Sequence, residues 1–205
     1  ISLWMNPDRV NKHGADLVGQ DNCVEMTMIN DRLRMWTPVT GNFYFESSRA
    51  AITAGEWTHI TVTGDAAAGQ MKLYADGQLI ETWNHGSKVN YGDSHTLQKI
   101  SAGNKVSNTG NYGFEGKLDN ISVWTTARTA EQVEQLYSSS PSGDEAGLLG
   151  YWALSEGSGT TAANSVDGGP AFQFKGSSQP SWTSRDGLTD TSSLSADPPD
   201  GSEVT

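Results

Sequence analysis

Oxygen-bearing side chains in glycine-rich, turn-like stretches are the residues of this chain with most chemistry to offer. Asp21, Asn22, Asn104, Asn108 and Asn111 all lie in such stretches. Their carboxylate and amide oxygens are of the kind Ca²⁺ collects, six to eight at a time. A turn-forming role is the simpler reading, above all for Asp21. Two segments, WNHGSKVNYGDSH (83–95) and NKVSNTGNY (104–112), add aromatic rings to this mixture. Rings that stack on a sugar face, beside amides and carboxylates that bond its hydroxyls, would bind a glycan. His85, Tyr91, Asp93, Asn104, Asn108, Asn111 and Tyr112 are the candidates. The alternative is a pair of polar loops whose Asn and Gly residues only make turns, which leaves Tyr91 and Tyr112 without a purpose.

Hydrolysis is not expected. His13, His59, His85 and His95 meet neither a GxSxG serine nor a cysteine elbow. Glycoside cleavage needs two carboxylates on one face, and Glu115 and Asp119 do not fall on an alternating strand with a third. Cys23 is the sole cysteine, so there is neither an internal disulfide nor a CxxC metal knuckle. The net charge is −11 and the pI about 4.6, with Lys and Arg scattered singly. Nucleic acid and anionic membranes both require a positive field that this composition lacks. No apolar run approaches the ~20 residues that span a bilayer.

The elements that must position these residues are mostly strands. Alternating apolar runs bounded by turn residues predict strands at 1–5, 17–18, 24–29, 33–36, 43–45, 51–53, 58–63, 71–75, 78–83, 97–102, 120–124, 148–154 and 172–174. In HITVT, Ile60 and Val62 face one way while His59, Thr61 and Thr63 face the other, which makes His59 a surface or interface histidine. Asp76-Gly77 marks a two-residue hairpin turn. One helix interrupts the pattern near 129–138. Thr129 caps it, Gln132 completes a capping box, and Val133, Leu136 and Tyr137 form its apolar stripe. So short a helix suits a lid over one end of a sandwich.

The order GEWTHITVTGDAAAGQMKLYADGQLIETW (55–83), SAGN (101–104) and FEGKLDNISVWTTARTAEQVEQLY (114–137) resembles laminin-G-like, concanavalin A-like domains, the group that includes the pentraxins. It reproduces that family's W-x-H strand, its Y-x-D-G hairpin, and its G-x-L-D strand leading into a short helix. GLLGYWAL (147–154) resembles the last strand of a pentraxin-like domain and QPSW (179–182) its closing segment. The resemblance implies an all-β jelly-roll sandwich of two antiparallel sheets over residues 1–185. Residues 186–205, rich in Asp, Ser, Thr and Pro, then read as an acidic linker to another module.

Family members usually carry a strand or two before an ISLW-like strand, so a fragment of a larger polypeptide is expected here. Residues 148–174 are expected to take the edge position beside Ile1–Trp4. Family members often hold calcium at a sandwich edge. The resemblance therefore makes Asp119, which matches the recurring family aspartate, either a metal ligand with Asp21 and Asn22 or a cap on neighbouring N–H groups. Lys105 follows the GN turn where pentraxin-like sites place an acidic cluster, which argues against a double-calcium site. The E-x-D-x-E strand of β-glucan-cleaving relatives is absent. The implied function is a non-catalytic binding or adhesion module of a secreted or cell-surface, bacterial, multidomain protein. It would take a glycan or a surface protein, with calcium as cofactor and flanking modules of its own polypeptide as neighbours. A structural spacer, or the accessory domain of a polysaccharide-degrading enzyme, are the other readings.

Overall fold

The structure, a computed structural model, describes residues 1–20, 24–37, 44–48, 52–86, 101–102, 114–174, 181–184 and 202–204. In chain order its elements are β1 (Ser2–Pro7), β2 (Asn11–Gln20), β3 (Val24–Asn30), β4 (Arg32–Trp36), β5 (Tyr44–Glu46), β6 (Thr58–Asp65), β7 (Gln70–Ala75) and β8 (Gln78–Asn84). They continue with β9 (Ser101–Ala102), β10 (Gly116–Trp124), α1 (Ala130–Ser138), β11 (Leu148–Trp152), β12 (Thr161–Ala162), β13 (Phe172–Gln173), β14 (Trp182–Ser184) and β15 (Ser202–Val204). The strands form an eight-stranded sheet in the order β14-β15-β10-β1-β6-β7-β8, with β11 also on β10, and a five-stranded sheet in the order β5-β4-β3-β2-β9. β12 and β13 make a separate two-stranded ribbon. Every pairing is antiparallel.

Period-two alternation decides what lies between the sheets. Leu3 and Met5 of β1, Ile60 and Val62 of β6, Met71 and Leu73 of β7, and Leu118, Ile121 and Val123 of β10 point inward from the large sheet. Ala15, Leu17, Val18, Met26, Met28, Leu33, Met35 and Phe45 answer them from the small one. A sandwich of this kind is held by those two interdigitating inner faces. Trp152 closes one flank, its ring stacked on Phe172 at 4.1 Å and its indole N–H donating to the Pro170 carbonyl at 3.1 Å.

Several expectations change. β1 is not an edge strand, because β10 and β6 flank it on its two sides. Residues 148–152 therefore pair with β10 on the side away from β1, with Ile121 opposite Trp152, and not beside Ile1–Trp4. Residues 52–53 are loop, and Ser202–Val204, inside the expected linker span, forms a strand between β14 and β10.

The helix is where it was expected but covers something else. Thr129 Oγ1 accepts from the Gln132 N–H, and Gln132 Oε1 accepts from the Thr129 N–H, which completes the capping box. The stripe does not cap an end of the sandwich. It lies across the outward face of the large sheet, where Tyr137 stacks on Trp4 at 5.5 Å and packs against His59 at 5.9 Å. His59 is consequently not a surface histidine but only 2% exposed. The hairpin below the helix is the expected one, with Asp76 and Gly77 at φ +48° and +75°.

Candidate functional site

The outward face of the five-stranded sheet follows from the same alternation that built the core. In β4, Leu33 and Met35 point in, so Arg32, Arg34 and Trp36 point out. In β5, Phe45 points in and Tyr44 and Glu46 point out. In β3, Met26 and Met28 point in, so Glu25 and Thr27 point out. The strand register aligns these into two rows across the sheet. One row runs Glu25, Trp36, Tyr44, and the next runs Asp16, Thr27, Arg34, Glu46. Residues directly opposite on neighbouring strands have Cβ atoms about 5 Å apart, close enough to act as one surface.

The rows are rigidly built. Arg34 donates to Glu46 Oε2 from Nη2 at 2.5 Å and from Nε at 3.1 Å, and its guanidinium carbon sits 4.3 Å from the Tyr44 ring centroid. A carboxylate thus holds a cation, and the cation holds an aromatic ring. Tyr44 stays 53% exposed, while Trp36 beside it is half-buried. Asp16 and Glu25 are buried, at 4% and 8%. At the surface, Tyr44, Trp36, Arg34, Glu46 and Thr27 offer aromatic faces for stacking, a guanidinium donor, a carboxylate acceptor and a hydroxyl. That combination has the chemistry to stack on a ring and to bond hydroxyl groups.

Of the residues expected at a site, two are described. His85 is buried against the Phe45 ring at 5.8 Å, and its Nδ1 lies 2.5 Å from the Gly86 carbonyl oxygen. It serves packing and offers a ligand little surface. Asp119 has no exposed surface and points outward from β10 beneath the helix, opposite Trp4. Its Oδ1 accepts from the Asn120 N–H at 2.9 Å. Asn120, at φ +49°, sits in a bulge where the β1–β10 register slips, and Tyr151 and Ser140 both donate to its Oδ1. Asp119 therefore has the geometry of a backbone cap at the Asn120 bulge. Among the described residues no three His, Cys, Asp or Glu side chains converge on a metal position. Tyr91, Asp93, Asn104, Asn108, Asn111, Tyr112, Asp21 and Asn22 lie outside the described residues.

A serine–histidine pair does exist, though not of the kind sought. Thr61 Oγ1 donates to Ser2 Oγ at 2.9 Å, and Ser2 Oγ lies 2.8 Å from His59 Nε2. Burial pushes the His59 pKa down to about 3 because the charged ring would lose its water. Ser2 is 1% exposed and the pair lies beneath Trp4 and Tyr137, so no substrate can reach it.

The aromatic rows were missed by sequence reasoning although their signal was present. RLRMW and YFE both alternate, and each puts an aromatic and a charge on its outward face.

Comparison with known proteins follows the architecture. A laminin G family model, described as concanavalin A-like lectin/glucanases superfamily, matches residues 1–134. A solved Bacteroides ovatus protein described as carbohydrate-binding is similar at 18% identity and TM-score 0.65, covering 80% of this chain and 48% of its own, so the chain spans about half its length. The heptameric SAP-like pentraxin of Limulus polyphemus is similar at 20% identity and TM-score 0.52, over 67% of this chain and 68% of its own. The CBM40 of Ruminococcus gnavus IT-sialidase, solved with α2,3-sialyllactose, is similar at 16% identity and TM-score 0.54, over 66% of this chain and 80% of its own. At such identities these likenesses show the fold. No curated protein sequence matches the chain.

Proposed function

Because this chain belongs to the concanavalin A-like lectin/glucanases superfamily, whose sandwich its sheets build, we propose that it is a non-catalytic carbohydrate-binding module. Its binding surface is the outward face of the five-stranded sheet. The observation that carries this reading is the pairing of Trp36 with Tyr44 across β4 and β5, beside the Arg34–Glu46 ion pair. Stacked aromatics supply apolar contact to a pyranose ring. The flanking carboxylates and guanidinium then orient its hydroxyls by charge-assisted hydrogen bonds. Two of the similar structures, the Bacteroides ovatus protein and the sialidase module, carry carbohydrate binding in their descriptions, which supports the same class. Such a module serves within a longer extracellular protein, beside catalytic or adhesive partners in the same polypeptide. The described residues contain no helix long and apolar enough to cross a membrane.

A glycan array with and without EDTA tests the reading. Wild-type protein is expected to bind a restricted set of glycans, and Trp36→Ala to weaken that binding about tenfold or more, as loss of a stacked ring does. Loss only in Tyr91→Ala or Tyr112→Ala would move the site to the loop rim. Sensitivity to EDTA would bring calcium into the site through residues of those loops. No binding under either condition would leave a structural spacer.

A further inference from the structure

The opposite side of the molecule carries a cleft that the proposed glycan face does not use. It lies on the outward face of the eight-stranded sheet, where β6 and β7 form the floor and residues 127–131 leading into α1 form a wall. Its volume is about 420 Å³, within the range of ordinary small-ligand sites. Thr63 stands opposite Lys72 across the floor, and Asp65 opposite Gln70. Five residues of β7, from Gln70 to Tyr74, give the floor a length of about 13 Å, four steps of ~3.3 Å each. Arg128, its guanidinium carbon 4.3 Å from the Trp124 ring centroid, and Glu131 line the wall.

The charges identify the class of ligand. Lys72 and Arg128 are matched by Asp65 and Glu131, so the lining has no net charge. The wall is not an anion site, although a helix begins there. Glu131 already answers the first-turn N–H groups, since bonds from its own backbone N–H and from Thr129 hold its carboxyl below the usual range. A phosphate or an acidic sugar would also face Asp65. What remains is a trough with interleaved donors and acceptors. Lys72 and the Gln70 amide donate, Asp65 and the Gln70 carbonyl accept, and the Thr63 hydroxyl does both. Tyr74, 3% exposed, closes the inner end of the floor, where burial, aided by the negative charge of Glu131, raises the pKa of its hydroxyl. Gln70 Nε2 donates to Asn84 Oδ1 at 3.0 Å, which fixes the amide and extends the polar floor onto β8.

We propose that this cleft is a second carbohydrate subsite, taking a short uncharged oligosaccharide whose hydroxyls match the alternating donors and acceptors. It rests on the reading of the chain as a carbohydrate-binding module. With ligands on both outward faces, one copy of the domain could bridge two glycan chains.

The test is an amide-shift titration of the whole chain with cellotriose, xylotriose and maltotriose at millimolar concentration, with 3′-sialyllactose as the charged comparison. Saturable shifts at Thr63, Gln70, Lys72 and Glu131 are expected with at least one neutral saccharide and not with the charged one. Gln70→Ala and Lys72→Ala, both at half-exposed positions of the sheet surface, should weaken those shifts three- to tenfold, about one hydrogen bond each. Trp36→Ala should leave them unchanged. Shifts confined to β4 and β5 would overturn the second subsite and uphold the first. Shifts in neither region would overturn the second subsite, and the first reading would then stand or fall on the glycan array. Equal entry of 3′-sialyllactose would overturn the assignment to an uncharged ligand.

Discussion

Replacing Asp119 with alanine would leave the Asn120 N–H without its acceptor in a fully enclosed bulge. The expected loss is about 1–3 kcal/mol, the cost of one buried unsatisfied donor. Urea unfolding should show it equally with calcium and with EDTA, and Asp119→Asn, which keeps an acceptor, should restore most of it. His59 gives a second measurement at this scale. Its folded pKa of about 3 lies below the ordinary 6.5, so the unfolded chain binds the proton more readily. The stability it contributes is fully present above pH 6.5 and is lost as pH falls toward 3, by roughly 5 kcal/mol at most. The unfolding free energy of His59→Gln should therefore decline less steeply across that window than that of the wild type. Parallel curves would show that the ring is not sealed.

At the scale of elements, α1 depends on the sheet as much as the sheet depends on it. Nine residues form no stable helix alone, and Val133 and Tyr137 bind it to the large sheet. Tyr137→Ala removes the ring stacked on Trp4 and should open that face to water. A red shift in tryptophan emission and a loss of about 3 kcal/mol or more are expected, together with a His59 that titrates nearer its ordinary range. The β7–β8 turn is tied to the same helix. Gly77 has φ +75° and a Cβ there would come within 3.4 Å of Tyr137. Gly77→Ala should cost about 1 kcal/mol or more, chiefly from the left-handed backbone, as thermal unfolding would record.

Across the whole molecule, the two outward faces have different fates. One is sealed in its middle by α1, and the other keeps a ring 53% exposed on an ion-paired support. Function should therefore be separable from stability on the five-stranded sheet. Tyr44→Ala removes an exposed side chain and should change stability by no more than about 0.5 kcal/mol, while glycan affinity drops severalfold. Calorimetric melting beside a binding titration would show both. A large drop in melting temperature would instead make Tyr44 part of the scaffold.

Local pattern was enough to determine much of this. Strand alternation, the Asp76-Gly77 turn and the Thr129–Gln132 box all act within a few residues, so RLRMW, HITVT and TARTAEQVEQLY each carried its own structure in the sequence. The order of those pieces then carried the family. What no local pattern held was which surface each outward face would meet. His59 and Trp4 alternate like solvent-facing residues, and only the return of α1 across β1 and β6 buries them, through contacts more than seventy residues apart in the chain. The partnership of Trp36 with Tyr44 likewise depends on strand register. The β1–β10 pairing, not any property of 148–152, sent that strand to the far side of β10. Alternation states that a side chain leaves one face of a sheet, and tertiary packing alone decides what waits there.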